Sequence, residues 1–222
     1  MGVTRRPDLE VRPPQQERTQ AAWDRILDAG LAILEESGYA GFTIAAICGR
    51  AGVSPPAIYA RVRTKQALYF AVFEHGFAPL RARQMDALDP ARWAGAPAQE
   101  AARGAVAAIA RTSLEHEPFL REIARRAEED PEVAARTHDA RRWTAELFTD
   151  LMLQHPAALR STDAEHVQAC FRIVFAALMA RIALPRALDV GPQVDDDAFV
   201  AHLQETAVRW LFPDAETEHT AR

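Results

Sequence analysis

The stretch Thr43-Ile44-Ala45-Ala46-Ile47-Cys48-Gly49-Arg50-Ala51-Gly52-Val53-Ser54-Pro55-Pro56-Ala57-Ile58-Tyr59 decides the fold. Thr43 is a fitting N-cap, and Ile44 to Ala51 read as a helix behind it. Gly52 permits a tight turn. Ser54 is a second cap, with Pro55 at the first helical position, where a missing N–H costs little. This second helix is expected to run from Pro55 to about Val62. Two short helices around Ala-Gly-Val-Ser make a helix-turn-helix. Ile44, Ile47 and Cys48 share one face of the first helix, and Val53, Ile58 and Val62 share the facing stripe of the second. Burying both stripes is expected to project Pro55, Pro56, Ala57, Tyr59 and Arg61 outward.

Outward from this stretch, the chain reads as helices throughout. Ala, Leu, Arg and Glu, all strong helix formers, dominate the 222 residues, and no strand-like alternation occurs. A helix is predicted from Thr19 to Ser37, on the spacing of Ala22, Ile26, Ala29, Ile33 and Leu34, with Gly38 as its stop. Thr64 caps a fourth helix running to about Leu88. A break at Asp89-Pro90 and Ala94-Gly95-Ala96-Pro97 follows, and further helices are expected near 97–116, 118–128, 131–155, 162–189 and 196–212. Asp130-Pro131, the capping box Thr162-Asp163-Ala164-Glu165, and the acids Asp195 to Asp197 mark three of the starts. The fold class is all-α with about nine helices. Four segments are expected: an N-terminal arm at 1–18, a head at 19–64, a larger helical domain at 65–212 and a tail at 213–222.

The charge distribution says what the head meets. The whole chain has net charge −5, yet Ser37 to Phe73 contains no Asp or Glu while holding Arg50, Arg61, Arg63 and Lys65. An acid-free basic stretch inside an acidic protein is a local footprint for a polyanion. The helix-turn-helix supplies the geometry, because its second helix fits a DNA major groove.

The same residues resemble the tetracycline-repressor family of bacterial regulators. That family's pattern is a Thr-capped helix, Ala-Gly-Val-Ser, and then Tyr-x-x-Phe-x-x-Lys-x-x-Leu. The chain matches at Thr43, Ala51, Gly52, Val53, Ser54, Tyr59, Lys65 and Leu68, and the preceding Gly38-Tyr39-x-Gly41-Phe42-Thr43 agrees as well. The resemblance covers about residues 19–75. It implies that Thr43, Tyr59 and Lys65 contact phosphates, while Ser54, Pro55, Pro56 and Ala57 meet base edges, with Arg61 and Arg63 beside them. Val62 stands where the family has Phe, Cys48 where it has Ala, and Pro55-Pro56-Ala57 where it has polar, basic or small residues. The two prolines delete N–H donors, so hydrogen-bond readout is expected to be sparse. Thymine contact by Pro56 or Ala57 remains, together with Arg61 on guanine or phosphate. The implied function is repression from a palindromic operator by a dimer that a small molecule releases. A ligand-independent repressor, an activator, or a helical enzyme or carrier domain are the alternatives.

The larger domain is read from its apolar residues. Phe77, Trp93, Phe119, Trp143 and Phe148 are the candidate lining of an effector cavity. Val167, Phe171, Val174, Phe175, Leu178 and Ile182 recur at helical spacing, as do Phe199, Leu203 and Trp210. They are the candidate homodimer surface, because a two-fold DNA site needs two recognition helices. No cofactor, metal site or catalytic set is expected. Cys48 and Cys170 form no CxxC, and Glu115-His116-Glu117 points in different directions on a helix. Arg172 and Arg181 interrupt the most apolar helix, so no membrane span is expected. The N-terminus lacks an apolar signal segment, and the expected location is the cytoplasm.

Overall fold

The computed structural model describes residues 17–184 and 194–213. The expected arm lies almost wholly outside the described residues, as does most of the expected tail. Among the described residues all regular structure is helical, in the order α1 (Glu17–Gly41), α2 (Ile44–Ala51), α3 (Pro55–Tyr59), α4 (Lys65–Ala87), a 3-10 turn (Pro90–Trp93), α5 (Ala98–Glu115), α6 (Glu117–Glu129), α7 (Pro131–Leu153), α8 (Ala164–Ala183) and α9 (Asp196–Leu211). The chain divides into two compact units, Met1–Pro79 and Leu80–Arg222.

The first unit is larger than the head expected at 19–64, because α4 supplies part of its core. Leu68, Tyr69, Val72 and Phe73 of α4 are buried there, as are Trp23, Ile26, Leu27, Ile33 and Leu34 of α1. Gly30 of α1 lets α4 come close, since a Cβ built at Gly30 would lie 2.6 Å from Cγ2 of Val72. Tyr39, Phe42 and Tyr69 meet as a ring cluster, with centroids 5.2 and 5.8 Å from that of Tyr69. Gly38 breaks the helical path within α1, with φ 62 and ψ −168, where the sequence places its stop. Pro79 stands inside α4 and gives no N–H to the turn before it. The division between units falls directly after it.

The second unit is a helical bundle. In it α5 packs along α9, α7 and α8 pack together, and α8 also meets α6 and α9. Its core includes Val106, Ile109, Phe119, Ile123, Phe148, Leu151, Val167, Phe171, Leu178, Leu203 and Leu211. Arginines close helix ends. Nε of Arg121 donates to the Ile182 carbonyl at 2.9 Å, and the Arg160 backbone N–H and guanidinium donate to the carbonyls of Leu211 and Phe212 at 2.7 and 2.9 Å. These are carbonyls that a helix cannot satisfy internally. The start of α8 is capped by Asp163, which accepts from the N–H of Glu165, rather than by Thr162 as the capping-box reading expects. By length and composition α8 could cross a membrane, with mean hydropathy 1.4. Here it packs its Val167, Phe171, Leu178 and Ile182 stripe into the bundle.

Candidate nucleic-acid interface

Local chemistry builds α2 and the turn as the sequence reading expects. The Oγ1 of Thr43 accepts from the N–H of Ala46 at 3.1 Å, and Gly52 ends α2 in the left-handed region at φ 64. The Val53 N–H returns to the Cys48 carbonyl at 3.1 Å, which tightens the turn. Ile47 and Cys48 are buried against the rest of the head, and Ile44 is half-buried. Ser54 differs from expectation. Its backbone is extended as a cap requires, but its side chain makes no capping bond, leaving the hydroxyl exposed.

α3 is shorter than the sequence suggests, and this redirects one side chain. The regular helix closes at Tyr59, and a turn carries the N–H groups of Arg61 and Val62 back to the Ile58 carbonyl at 2.9 and 3.1 Å. Arg61 therefore does not project outward. It is 4% exposed, with its guanidinium over the Trp23 ring at 5.7 Å. A charge placed over an aromatic face is stabilised by the ring quadrupole. The expectation that Arg61 reaches a base edge is corrected accordingly: the residue ties α1 to the end of the helix-turn-helix. Ser54, Pro55, Pro56 and Tyr59 do face solvent, Tyr59 with half its surface exposed, while Ala57 is half-buried and Ile58 is sealed inside.

The basic footprint also shrinks. Arg50 makes a two-pronged ion pair with Glu36, at 2.6 and 2.7 Å. That hydrogen bond holds the Glu36 carboxyl below its ordinary range. Glu36 is the residue immediately before the acid-free run, so the sequence does not show the pairing. Of the four cations in that run, Arg63 is exposed and Lys65 half-exposed, with Nζ of Lys65 over the Tyr39 ring at 4.3 Å. Thr64, between them, caps α4 by accepting from Ala67 at 3.0 Å. Thr43, Tyr59, Arg63 and Lys65 thus offer hydroxyl and cationic groups on the head's surface. Such groups position a protein on phosphates. The Arg25 guanidinium, which donates to the Ala51 carbonyl at 3.4 Å, is a link from α1 to α2 that sequence reading missed.

The residues proposed for ligand and dimer contacts sort differently from expectation. Phe77 belongs to the first unit and lies against Phe73, with centroids 4.6 Å apart. Trp93 donates to the Ala87 carbonyl at 2.8 Å and its ring covers Gly104, while Phe119 is a sealed core residue and Trp143 is half-buried on α7. Phe148 does line a small cavity, together with Val106, Ile109, Ala110, Phe171, Val174, Phe175 and Leu178. Four of those lining residues are among the expected dimer contacts. Val167, Phe171, Val174, Leu178, Ile182 and Leu203 all face the core of their own chain. Phe199 lies under Arg181, 4.8 Å away, and Trp210 stacks on His166. The stripe taken for a subunit interface is the inner face of α8. Its outer face carries Ile173, Ala176 and Ala177, with Leu184 exposed just beyond its end.

An exposed second helix set by a glycine turn, and hydroxyl and cationic groups around it, define a DNA-binding domain of the helix-turn-helix class. Residues 26–72 match the model of the tetR family of bacterial regulatory proteins. Over these residues the chain carries the DNA-binding domain typical of that family. The HTH-type transcriptional regulator CymR of Pseudomonas putida is 43% identical over 63 residues, 28% of this chain. The matched stretch spans about a third (31%) of CymR. Among solved structures, a tetR-family regulatory protein from Rhodococcus RHA1 superposes with TM-score 0.66 at 22% identity, covering 88% of this chain and 99% of that one. The tetR-family regulator PfmR from Thermus thermophilus does so with TM-score 0.61 at 22% identity, covering 83% and 97%. Over the described residues the fold is therefore that of these regulators.

Proposed function

We propose that the protein is a cytoplasmic transcriptional repressor that holds a palindromic operator as a homodimer and lets go when a small molecule binds the second unit. The observation that carries this reading is the outward surface of the head: Thr43, Ser54, Pro55, Pro56, Ala57, Tyr59, Arg63 and Lys65 around a helix-turn-helix, in a stretch without a single carboxylate. Hydroxyls and cations would grip phosphates, and α3 would enter the groove.

One head reads only half of a two-fold site, and half-sites lie about 34 Å apart, one turn of DNA. A second copy of the chain is therefore part of the proposal. Its contact would be the outer face of α8, where Ile173 and Leu184 are exposed large apolar side chains beside small alanines that permit close helix approach. The effector site would lie in the second unit, at the small apolar cavity lined by Phe148, Phe171 and Phe175, which has room for about one water and would have to widen to admit a molecule. That lining favours an uncharged, apolar molecule. Release requires the molecule to prefer a state whose heads do not match the half-sites.

The test is selection of duplexes from a random library with the full-length protein, followed by titration of the winner at several salt concentrations. Enrichment of a palindrome, bound with affinity that falls as salt rises, is the expected result. Failure to enrich any duplex would refute the reading.

A further inference from the structure

The surface that α3 offers carries no side chain suited to reading a base pair by paired hydrogen bonds. Guanine is read by Arg or Lys, adenine by Asn or Gln, and cytosine by Asp or Glu. None of these residue types occurs from Val53 to Ala60. The nearest guanidinium in sequence, Arg61, is turned inward over Trp23. Ser54 and Tyr59 add one hydroxyl each, which make single, undiscriminating hydrogen bonds. What α3 does present is hydrocarbon: the exposed rings of Pro55 and Pro56, and the half-exposed methyl of Ala57. In the major groove one hydrocarbon group marks a base, the 5-methyl of thymine.

We propose that α3 specifies its site through thymine methyl groups, packed against Pro55, Pro56 and Ala57, and that purine acceptors at the same positions add little. The proposal rests on the DNA-binding reading above and names the chemistry by which that reading becomes sequence-specific. Tyr59, Arg63 and Lys65 then anchor the head to the backbone without choosing a sequence, so discrimination falls on the apolar patch.

The experiment uses the full-length protein and the palindromic duplex enriched from a random library. Each thymine is replaced in turn by uracil, which removes the methyl and keeps every hydrogen-bonding edge. Each guanine is replaced in turn by 7-deazaguanine, which removes the N7 acceptor and keeps the base pair. Uracil at two or more positions per half-site is expected to weaken binding about fourfold each, the worth of one methyl-sized group at ~0.8 kcal/mol. 7-Deazaguanine is expected to change binding less than twofold. In the variant Pro56→Ala, at an exposed position outside the core, the uracil penalty should vanish at one position per half-site and persist elsewhere. A uracil series flat within twofold, or a 7-deazaguanine loss exceeding the uracil loss, overturns the proposal while leaving DNA binding intact. If no duplex is enriched, both readings fall together.

Discussion

Gly30→Ala tests how the head is assembled, because it adds one methyl where Gly30 of α1 meets Val72 of α4. The new Cβ would lie 2.6 Å from Cγ2 of Val72 and 3.2 Å from Cε2 of Phe42. An ordinary carbon contact is about 3.5–4.0 Å, so the overlap with Val72 is on the order of 1 Å. Val72 and Phe42 are fully buried, and a β-branched side chain in a helix has one strongly preferred rotamer. Neither neighbour has somewhere to go. Overpacking of this kind costs about 1–3 kcal/mol, and alanine in place of glycine within a helix returns about 1 kcal/mol. A net loss of about 2 kcal/mol is expected, since the clash is at the hard end. Val72→Ala alone removes two methyl groups, worth about 2 kcal/mol with the space it leaves. In the double variant the methyl added at position 30 fills that space, so it should be no less stable than Val72→Ala. The coupling is then about 2 kcal/mol, well above the ~0.5 kcal/mol expected of independent sites. Hydrogen exchange of α1 and α4 amides, followed by mass spectrometry, reads the stability of this unit apart from the other. Additive losses within ~0.5 kcal/mol would refute the argument that Val72 is what Gly30 accommodates.

Lys65→Ala should weaken binding across all duplexes and lower the salt slope by about 2, one for each subunit of the dimer, whereas Tyr59→Phe should weaken it without changing the slope; electrophoretic titration over a salt series separates the two. Ile173→Arg on the outer face of α8 should shift the mass in solution from dimer to monomer while leaving the helical content unchanged. A parent that is already monomeric at micromolar concentration, yet binds a palindrome tightly, would remove the basis for that interface. Burial pushes the Cys170 thiol from its ordinary 9.0 up to about 12. The folded form thus holds its proton more tightly than the unfolded form, and the thiol's stabilising contribution is complete below pH 9 and is lost as pH rises toward 12. Melting temperatures of the parent should fall faster than those of Cys170→Ala between pH 9 and 11, and a thiol reagent at pH 8 should leave Cys170 untouched until the protein is denatured.

What could be read in advance was the chemistry that acts over a few residues. Thr43 caps α2, Gly52 takes a positive φ and Thr64 caps α4, as their residue types require. Arg61 was misplaced because its fate is set by Trp23, 38 positions earlier in the chain, and by a helix that closes at Tyr59 instead of Val62. The pairing of Arg50 with Glu36 depends in the same way on how α1 and α2 meet. In α8 the periodic apolar residues were plain, but their partner was not. With Phe171 and Leu178 on one side and Ile173 and the alanines on the other, both faces are apolar, and spacing alone does not say which one a chain keeps for itself. The aromatic residues of the bundle posed the same problem, since only the packing of α5, α7 and α8 shows that Phe148 meets Phe171 while Phe119 does not share their cavity.

Lys65 is the sole lysine of the chain. Reagents that acylate primary amines therefore have one side chain to attack, and it sits at the start of α4, half-exposed above Tyr39. A fluorophore delivered by such a reagent to this side chain would report from the start of α4 with no engineered cysteine. Under the proposed function DNA shields this amine, so that loss of labelling at position 65 follows the fraction of heads occupied.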